Sequence, residues 1–518
     1  MSSHFQLIKS HYPRAFDKKL PSNHPSRKKA AKCFLKDISL NFVILQVVFL
    51  ALFAYVFGSL FQQTSRIHYF NIVFVDYDDQ GGAMGRAVRD AYSSLQADSF
   101  PSLIEKTPLE FEETFSLVES VCRTDYWAAL YIKPGASDRI RNALTNASSY
   151  NPSDIIGYIW NEARYPTVID GALQSNIQLL SSTARTSYIE NLNLTPSSES
   201  LPILASPWTL QSTNLQPTTQ GSRVIYNNIV IILILIQEFF YLGTINGLYA
   251  QHKLYARSGP YRIILLRNLN SLAYTFIGSL CVTASIFAFR AGWDFTSAQF
   301  ILTWLTFWLF AHVNFLTLDV FTIWVPHGYV PLALITWIIM NVTSVLLPFE
   351  LSPGFYKLGY VLPAHEVYQT LTDIWSMGCN NQLRYSLPVL FVWEVVSLVL
   401  SSLGVFRRCH FAVLAEERVA EEFKEKVDAA VGEMIGRKKN SEEKSPETVE
   451  AERSGTRSDR ASSIGNEETG ELRDELAGIM ERANTRQRRE RDRGEAECDF
   501  GPSFPLPFSH DSDSEETV

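Results

Sequence analysis

The chain has 518 residues, 46% hydrophobic and 13% aromatic, with a formal net charge of −8. That charge belongs mostly to a charged C-terminal tail and gives no sign of nucleic-acid binding, and six cysteines are too few for a disulfide scaffold. The apolar residues sit in long blocks, so the chain reads as a multi-pass membrane protein and not as a soluble domain.

Residues 1–37 form a basic N-terminus with Lys9, Arg14, Lys18, Lys19, Arg27, Lys28, Lys29, Lys32 and Lys36 against Asp17 and Asp37. An uncharged run of 28 residues follows, Ile38 to Ser65. It exceeds the roughly 20 residues needed to cross a bilayer core, and the first span is placed at 38–62. The long polar lead is unlike a cleaved signal peptide, so the run reads as a retained anchor. The excess of Lys and Arg before it places the N-terminus in the cytoplasm.

Residues 63–223 then face the lumen or exterior. Tyr69 to Val75 reads as a strand that ends in the polar turn Asp76 to Gly82, with a helix from Met84 to Leu95. Tyr126 to Ile132 is a second strand, followed by Lys-Pro-Gly and a short helix from Ser137 to Ala143. Asp154 to Glu190 is poor in Gly and reads as long helices, and Asn191 to Gly221 as a linker. Strands alternating with helices predict a small α/β domain.

Asp76, Asp78 and Gly81 superficially match a Ca²⁺ loop, but Gln80 and Ala87 stand where that loop needs other ligands, so a capping turn is the better reading. The chain has no P-loop, no H-E-x-x-H, no G-x-S-x-G and no paired C-x-x-C. No enzyme activity, cofactor or metal is expected. Asn146-Ala-Ser and Asn193-Leu-Thr are glycosylation sequons in this segment, whereas Asn341-Val-Thr falls within a span and should go unused.

Five more apolar segments occupy 224–406, at about 228–250, 268–289, 300–325, 330–347 and 387–406, the third span bracketed by Arg267 and Arg290. Only helices fit runs of this length, giving an α-helical membrane protein with six spans arranged one plus five. An even count returns the tail, 407–518, to the cytoplasm, consistent with Lys253, Arg257 and Arg262 in an inner loop and Arg407 and Arg408 after the last span. The outer loop 348–386 carries a helix opening at Pro363, with Ala364, Val367, Leu371 and Ile374 opposite His365, Glu366 and Asp373. It is expected at the outer membrane surface or as a lid on the α/β domain.

Cys122 and Cys379 are the two outer cysteines and are expected to form a disulfide, with two free thiols as the alternative. Cys33 and Cys409, at the inner edge, suit palmitoylation or no modification.

Within the spans, Glu238, Asp319 and Glu394 are costly, by roughly 2.5–3.5 kcal/mol each at the centre on insertion scales. His312 lies seven residues before Asp319 and so shares its helix face. These four are candidate proton or polar-path sites, the alternative being interhelical hydrogen bonds or positions near an interface. Gly243-Thr-Ile-Asn-Gly247 would let a neighbouring helix approach closely. In the tail, Phe411 to Ile435 has an apolar side chain at every fourth position and reads as a helix to about 436, with disorder beyond.

Several segments together resemble the fungal nitrosoguanidine-resistance membrane proteins. They are Ala311-His-Val-Asn-Phe-Leu, Val325-Pro, Asn341-Val-Thr-Ser, Leu347-Pro-Phe-Glu-Leu-Ser-Pro-Gly-Phe-Tyr and Leu362-Pro-Ala-His-Glu-Val-Tyr, supported by the Val-Asp-Tyr-Asp turn and Ala-Ala-Leu-Tyr-Ile-Lys-Pro-Gly. The resemblance covers about residues 35–410 and excludes the tail. That family is similar in layout to the membrane subunits of type-two ABC exporters and to the phage-infection-protein group. It implies a plasma-membrane protein (the endoplasmic reticulum being the alternative) linked to drug tolerance and lipid asymmetry.

The expected function is permease-like, with export of toxic compounds or an effect on lipid distribution; the alternative is a non-transporting regulator or scaffold. The expected partners are the lipid bilayer and either a second copy, a separate ATPase or another transporter.

Overall fold

The computed structural model describes residues 25–78, 82–146, 150–192, 201–218, 229–289, 294–326, 329–442 and 478. The first apolar run lies in helix α1, Pro25–Ser59. Its apolar part is exposed on nearly every side, as lipid-surrounded side chains are. It meets the rest of the molecule near its C-terminal end, where the Tyr55 and Tyr356 rings lie 5.1 Å apart.

The segment after α1 folds around a five-stranded mixed sheet in the order β2-β1-β3-β4-β5. The strands are β1 Asn71–Asp76, β2 Ser102–Lys106, β3 Ala128–Ile132, β4 Ile156–Trp160 and β5 Gln211–Asn214. β1 runs parallel to β2 and β3, β3 antiparallel to β4, and β4 parallel to β5.

Helices α2 Ala83–Leu95, α3 Thr114–Cys122, α4 Ala136–Asn146, α5 Ser175–Glu190 and the short α6 Leu201–Ala205 surround the sheet. Ile72, Phe74, Leu130 and Tyr158 pack with Met84, Ile140 and Leu180 on one face. Val73, Val75, Ala129 and Ile159 pack with Leu117 and Val121 on the other. Burial of both faces is why β1, β3 and β4 read as continuous apolar runs.

Of the helices expected over 154–190, α5 Ser175–Glu190 is present, and the first part of the range is corrected. Ile156–Trp160 is a central strand, because a short apolar run looks the same in a buried strand and a buried helix. The linker expected over 191–221 also contains ordered structure, the edge strand β5. Asp76 and Asp78 serve the turn itself. Asp76 accepts a hydrogen bond from the Asp78 N–H at 3.2 Å, and Asp78 accepts one from the Ser137 N–H at 2.9 Å near the start of α4.

The remaining helices are α7 Val230–Gln251, α8 Leu254–Arg257 (a single turn), α9 Pro260–Ala288, α10 Ser297–Trp324, α11 Val330–Thr343, α12 Pro363–Trp375 and α13 Leu383–Glu442. Among the described residues five helices, α1, α7, α9, α10 and α13, are long and apolar enough to cross a bilayer, and the chain is a multi-pass helical membrane protein. With 14 residues, α11 is about 21 Å long, short of the ~30 Å core. α10 is the most enclosed of the five.

Three expectations shift. α9 starts at Pro260, after Gly259, and so brings Arg267 two turns inside the helix. α13 is one helix of 60 residues that joins the sixth apolar segment to the tail helix. α12 does not lie on a lipid surface: His365, Glu366 and Asp373 are buried with its apolar stripe, between the sheet domain and the membrane helices. The disorder expected beyond about 436 concerns mainly residues outside those described, the helix itself running to Glu442.

Candidate functional site

α9, α10 and α13 supply two stacked polar layers. His312 and Asp319 on α10, like Glu394 and Ser401 on α13, are seven residues apart, and Arg267 and Ser271 on α9 are four apart, so each set shares a helix face.

In one layer His312 Nδ1 lies 2.6 Å from Glu394 Oε1, and His312 Nε2 lies 3.2 Å from Ser271 Oγ. The order Ser–His–Glu matches the connectivity of nucleophilic triads. However, the Ser271 hydroxyl donates to the Asn268 carbonyl 3.0 Å away. Ser271 also sits inside a helix whose N–H groups are consumed by its own ladder, so the backbone offers no oxyanion donors. The row suits holding and passing a proton better than acyl transfer. Glu394 Oε2 is buried without a hydrogen-bond partner among the described residues.

In the other layer Asp319, 0% exposed, is fully engaged. Arg267 Nη2 donates to its Oδ1 at 2.5 Å, Arg408 Nη2 lies 3.0 Å from the same oxygen, and the Ser401 hydroxyl donates to Oδ2 at 2.6 Å. Arg267 also donates to Tyr255 (3.0 Å) and Asn246 (2.8 Å), while Arg408 donates to Tyr255 (3.0 Å) and Thr322 (2.6 Å). This hub ties α7, α8, α9, α10 and α13 together. As sequence features, Arg267 and Arg408 had marked span edges. Their role as the partners of Asp319 depends on which helices meet, and its one local signal is the Gly259-Pro260 helix start.

Glu238 on α7 stands apart. It is 0% exposed, and neither carboxyl oxygen has a hydrogen-bond partner among the described residues. Beside it on the chain, Tyr241 stacks on Tyr274 of α9 with ring centroids 3.6 Å apart. The structure thus joins His312 to Glu394 and places Asp319 in its own hub, while Glu238 makes no hydrogen bond to any of them. Gly243 and Gly247 are buried in α7.

Elsewhere, Cys122 and Cys379 are joined by a disulfide, while Cys281 and Cys409 are free. Asn146 ends α4, with its side chain outside the described residues, as is all of Asn193. Asn341 is buried, its Nδ2 donating to the Trp337 carbonyl and its Oδ1 accepting from the Ala364 N–H.

The disulfide marks a joint between sheet domain and bundle. Asn161 Nδ2 donates to the Cys379 carbonyl at 3.0 Å, and the Tyr165 N–H donates to the Tyr368 hydroxyl at 2.9 Å. On the other side of α12, Gln299 Nε2 donates to the Ile374 and Trp375 carbonyls at 3.1 and 3.2 Å.

Burial in this joint pushes Glu366 up to about 7 and pulls His365 down to about 4. Against ordinary values of 4.5 and 6.5, the folded protein binds more protons than the unfolded at Glu366 between 4.5 and 7, and fewer at His365 between 4 and 6.5. The contribution of this pair to stability should therefore rise with pH from about 4 as His365 dominates, stay nearly level from 4.5 to 6.5 where the two oppose, then fall towards 7. Thermal unfolding of Glu366→Gln in detergent should keep the rise and lose the fall. A persisting fall would assign it to another group.

A family model described as a protein of unknown function, DUF3533, matches residues 41–399, and the chain belongs to that family. The chain is similar to an uncharacterized endoplasmic reticulum membrane protein of Saccharomyces cerevisiae, with 22% identity over 410 residues, covering 68% of this chain and 78% of that protein. No solved structure matches.

Proposed function

We propose that this DUF3533 member is a permease-like protein with six spans and both termini in the cytoplasm, its sheet domain outside. It exports toxic compounds of the nitrosoguanidine kind or shifts lipids between leaflets, driven by a proton gradient. The carrying observation is Glu238, a fully buried carboxyl with no hydrogen-bond partner among the described residues in the middle of a membrane helix. A carboxylate left without a cation or donor in so dry a place is costly, and such residues mark ion and proton routes. His312 and Glu394 form a second proton-holding station. Asp319 is left out of the route because two guanidiniums and a hydroxyl lock it.

The sixth span is α11 together with the turn that follows it. A plasma-membrane location follows from the family resemblance; the yeast relative supports the endoplasmic reticulum instead. Glu238→Gln, which keeps the shape and removes the titration, should reduce drug efflux to the level of cells without the protein at normal membrane expression. Unchanged efflux would sink the proton-coupled reading, and transport by the pure protein in liposomes under an imposed pH gradient supplies the direct measurement.

A second reading, a non-transporting regulator or scaffold, is favoured by the length of α13. It runs on past the apolar segment and is tied to the α8 turn by Lys253 and Glu416 at 2.9 Å. Purification in mild detergent with identification of the co-purifying chains separates the two. A separate ATPase supports transport but powered by that partner and not by protons, whereas other transporters support the scaffold.

A further inference from the structure

The joint holds buried hydrogen-bond donors that no other described residue uses. Arg164 follows β4 with its guanidinium stacked 3.9 Å from the centre of the Trp127 ring. Its Nη1 is enclosed and has no hydrogen-bond partner among the described residues. The Tyr165 hydroxyl, in a residue 5% exposed, is likewise enclosed and unpartnered. Tyr165 is held in the left-handed backbone region (φ 53°), with its N–H on the Tyr368 hydroxyl and the two rings 4.8 Å apart. The neighbouring acid is Glu350, half-buried, which acts electrostatically on both Arg164 and Tyr165. The short helix Gly354–Val361 exposes Phe355, Leu358 and Val361, and the ring of its Tyr360 lies 4.6 Å from that of Phe349, the residue before Glu350 in the chain.

Buried donors without acceptors are rare in native proteins, and a guanidinium is the most demanding of them. A neutral acceptor would satisfy the hydrogen bonds alone; a group that also meets the guanidinium's charge brings anionic oxygens, and the planar guanidinium suits phosphate. A bare anion would be repelled by Glu350, so the ligand should also carry a positive group, which Glu350 and nearby aromatic faces would receive. An exposed apolar rim at the same place suits acyl chains.

We propose that Arg164, Tyr165 and Glu350 form a binding site for the headgroup of a zwitterionic phospholipid, its phosphate on Arg164 and Tyr165 and its ammonium on Glu350. The site goes beyond the transport reading and requires only that this face meets a bilayer surface.

The test is native mass spectrometry of the full chain in detergent, with phosphatidylcholine and phosphatidylglycerol of identical acyl chains. The wild type should retain phosphatidylcholine about tenfold better. Tyr165→Phe, which removes one hydroxyl, should weaken that retention about tenfold, since a hydrogen bond to a charged group is at stake, with an unchanged thermal midpoint. Glu350→Gln should erase the preference by admitting phosphatidylglycerol. Soluble phosphocholine should compete, and inorganic phosphate should not. Equal retention of the two lipids by the wild type, or a Tyr165→Phe variant that binds like the wild type, would overturn the proposal. So would inorganic phosphate competing as well as phosphocholine, which would make this a free-anion site. None of these outcomes touches the efflux test of Glu238.

Discussion

Asp319→Ala is expected to destabilise the membrane domain by about 3–5 kcal/mol, the range for removing one partner of a buried ion pair. The loss comes less from the missing attraction than from what remains. Arg267, 2% exposed, and the largely enclosed Arg408 would keep their charges with only Tyr255, Asn246 and Thr322 as acceptors. Asp319→Asn keeps the volume and one acceptor oxygen, so it should cost less but still clearly. Adding Arg408→Gln to Asp319→Asn should recover part of the loss, because it removes one of the two stranded charges. Thermal unfolding followed by size-exclusion chromatography in detergent measures all three, and an unchanged midpoint for Asp319→Ala would show that the hub does not hold the helices together.

Removing the disulfide with Cys122→Ser and Cys379→Ser should loosen the joint between sheet domain and bundle. The bond spans a sequence separation of 257. The chain-entropy model puts the effect of so long a loop at about 5.5 kcal/mol, although measured values are typically about 2–4. Hydrogen bonds from Asn161 to Cys379, Tyr165 to Tyr368 and Gln382 to Thr124 would remain. The expected result is thus a domain that still docks but opens often enough for proteases to reach the segment beyond α3. In the wild type, a thiol reagent applied under denaturing conditions should reach these two cysteines only after reduction, and labelling of both without reductant would refute the bond.

The α/β domain was partly legible in the sequence. β1 and β3 are apolar runs next to clear turns, and α2 and α4 follow them at the expected distance. β4 was hidden by its own burial, since a strand covered on both faces shows no alternation. β5, Gln-Ser-Thr-Asn, is a polar strand at the sheet edge with no apolar signal at all. In α12, the stripe of Ala364, Val367 and Leu371 gave the right helix, and of the two surroundings it left open the structure excludes the lipid surface and docks the helix against the α/β domain. Its polar side faces protein, where His365 Nδ1 meets the Ser344 carbonyl at 3.3 Å.

What the sequence by itself determined is the membrane character of the chain and the position of its long apolar helices. Both follow from a local property, an uninterrupted run of side chains that water rejects, summed over about twenty residues. Only the tertiary structure decided what the ionisable residues do. Glu238, Asp319 and Glu394 look alike along the chain, each a lone acid in an apolar helix. Folding leaves the first without a hydrogen-bond partner, sets two arginines on the second and pairs the third with a histidine. The reason is range: in a medium that screens little, a charge is governed by whatever lies within a few ångströms, and those neighbours come from helices 52 and 82 residues away in the chain.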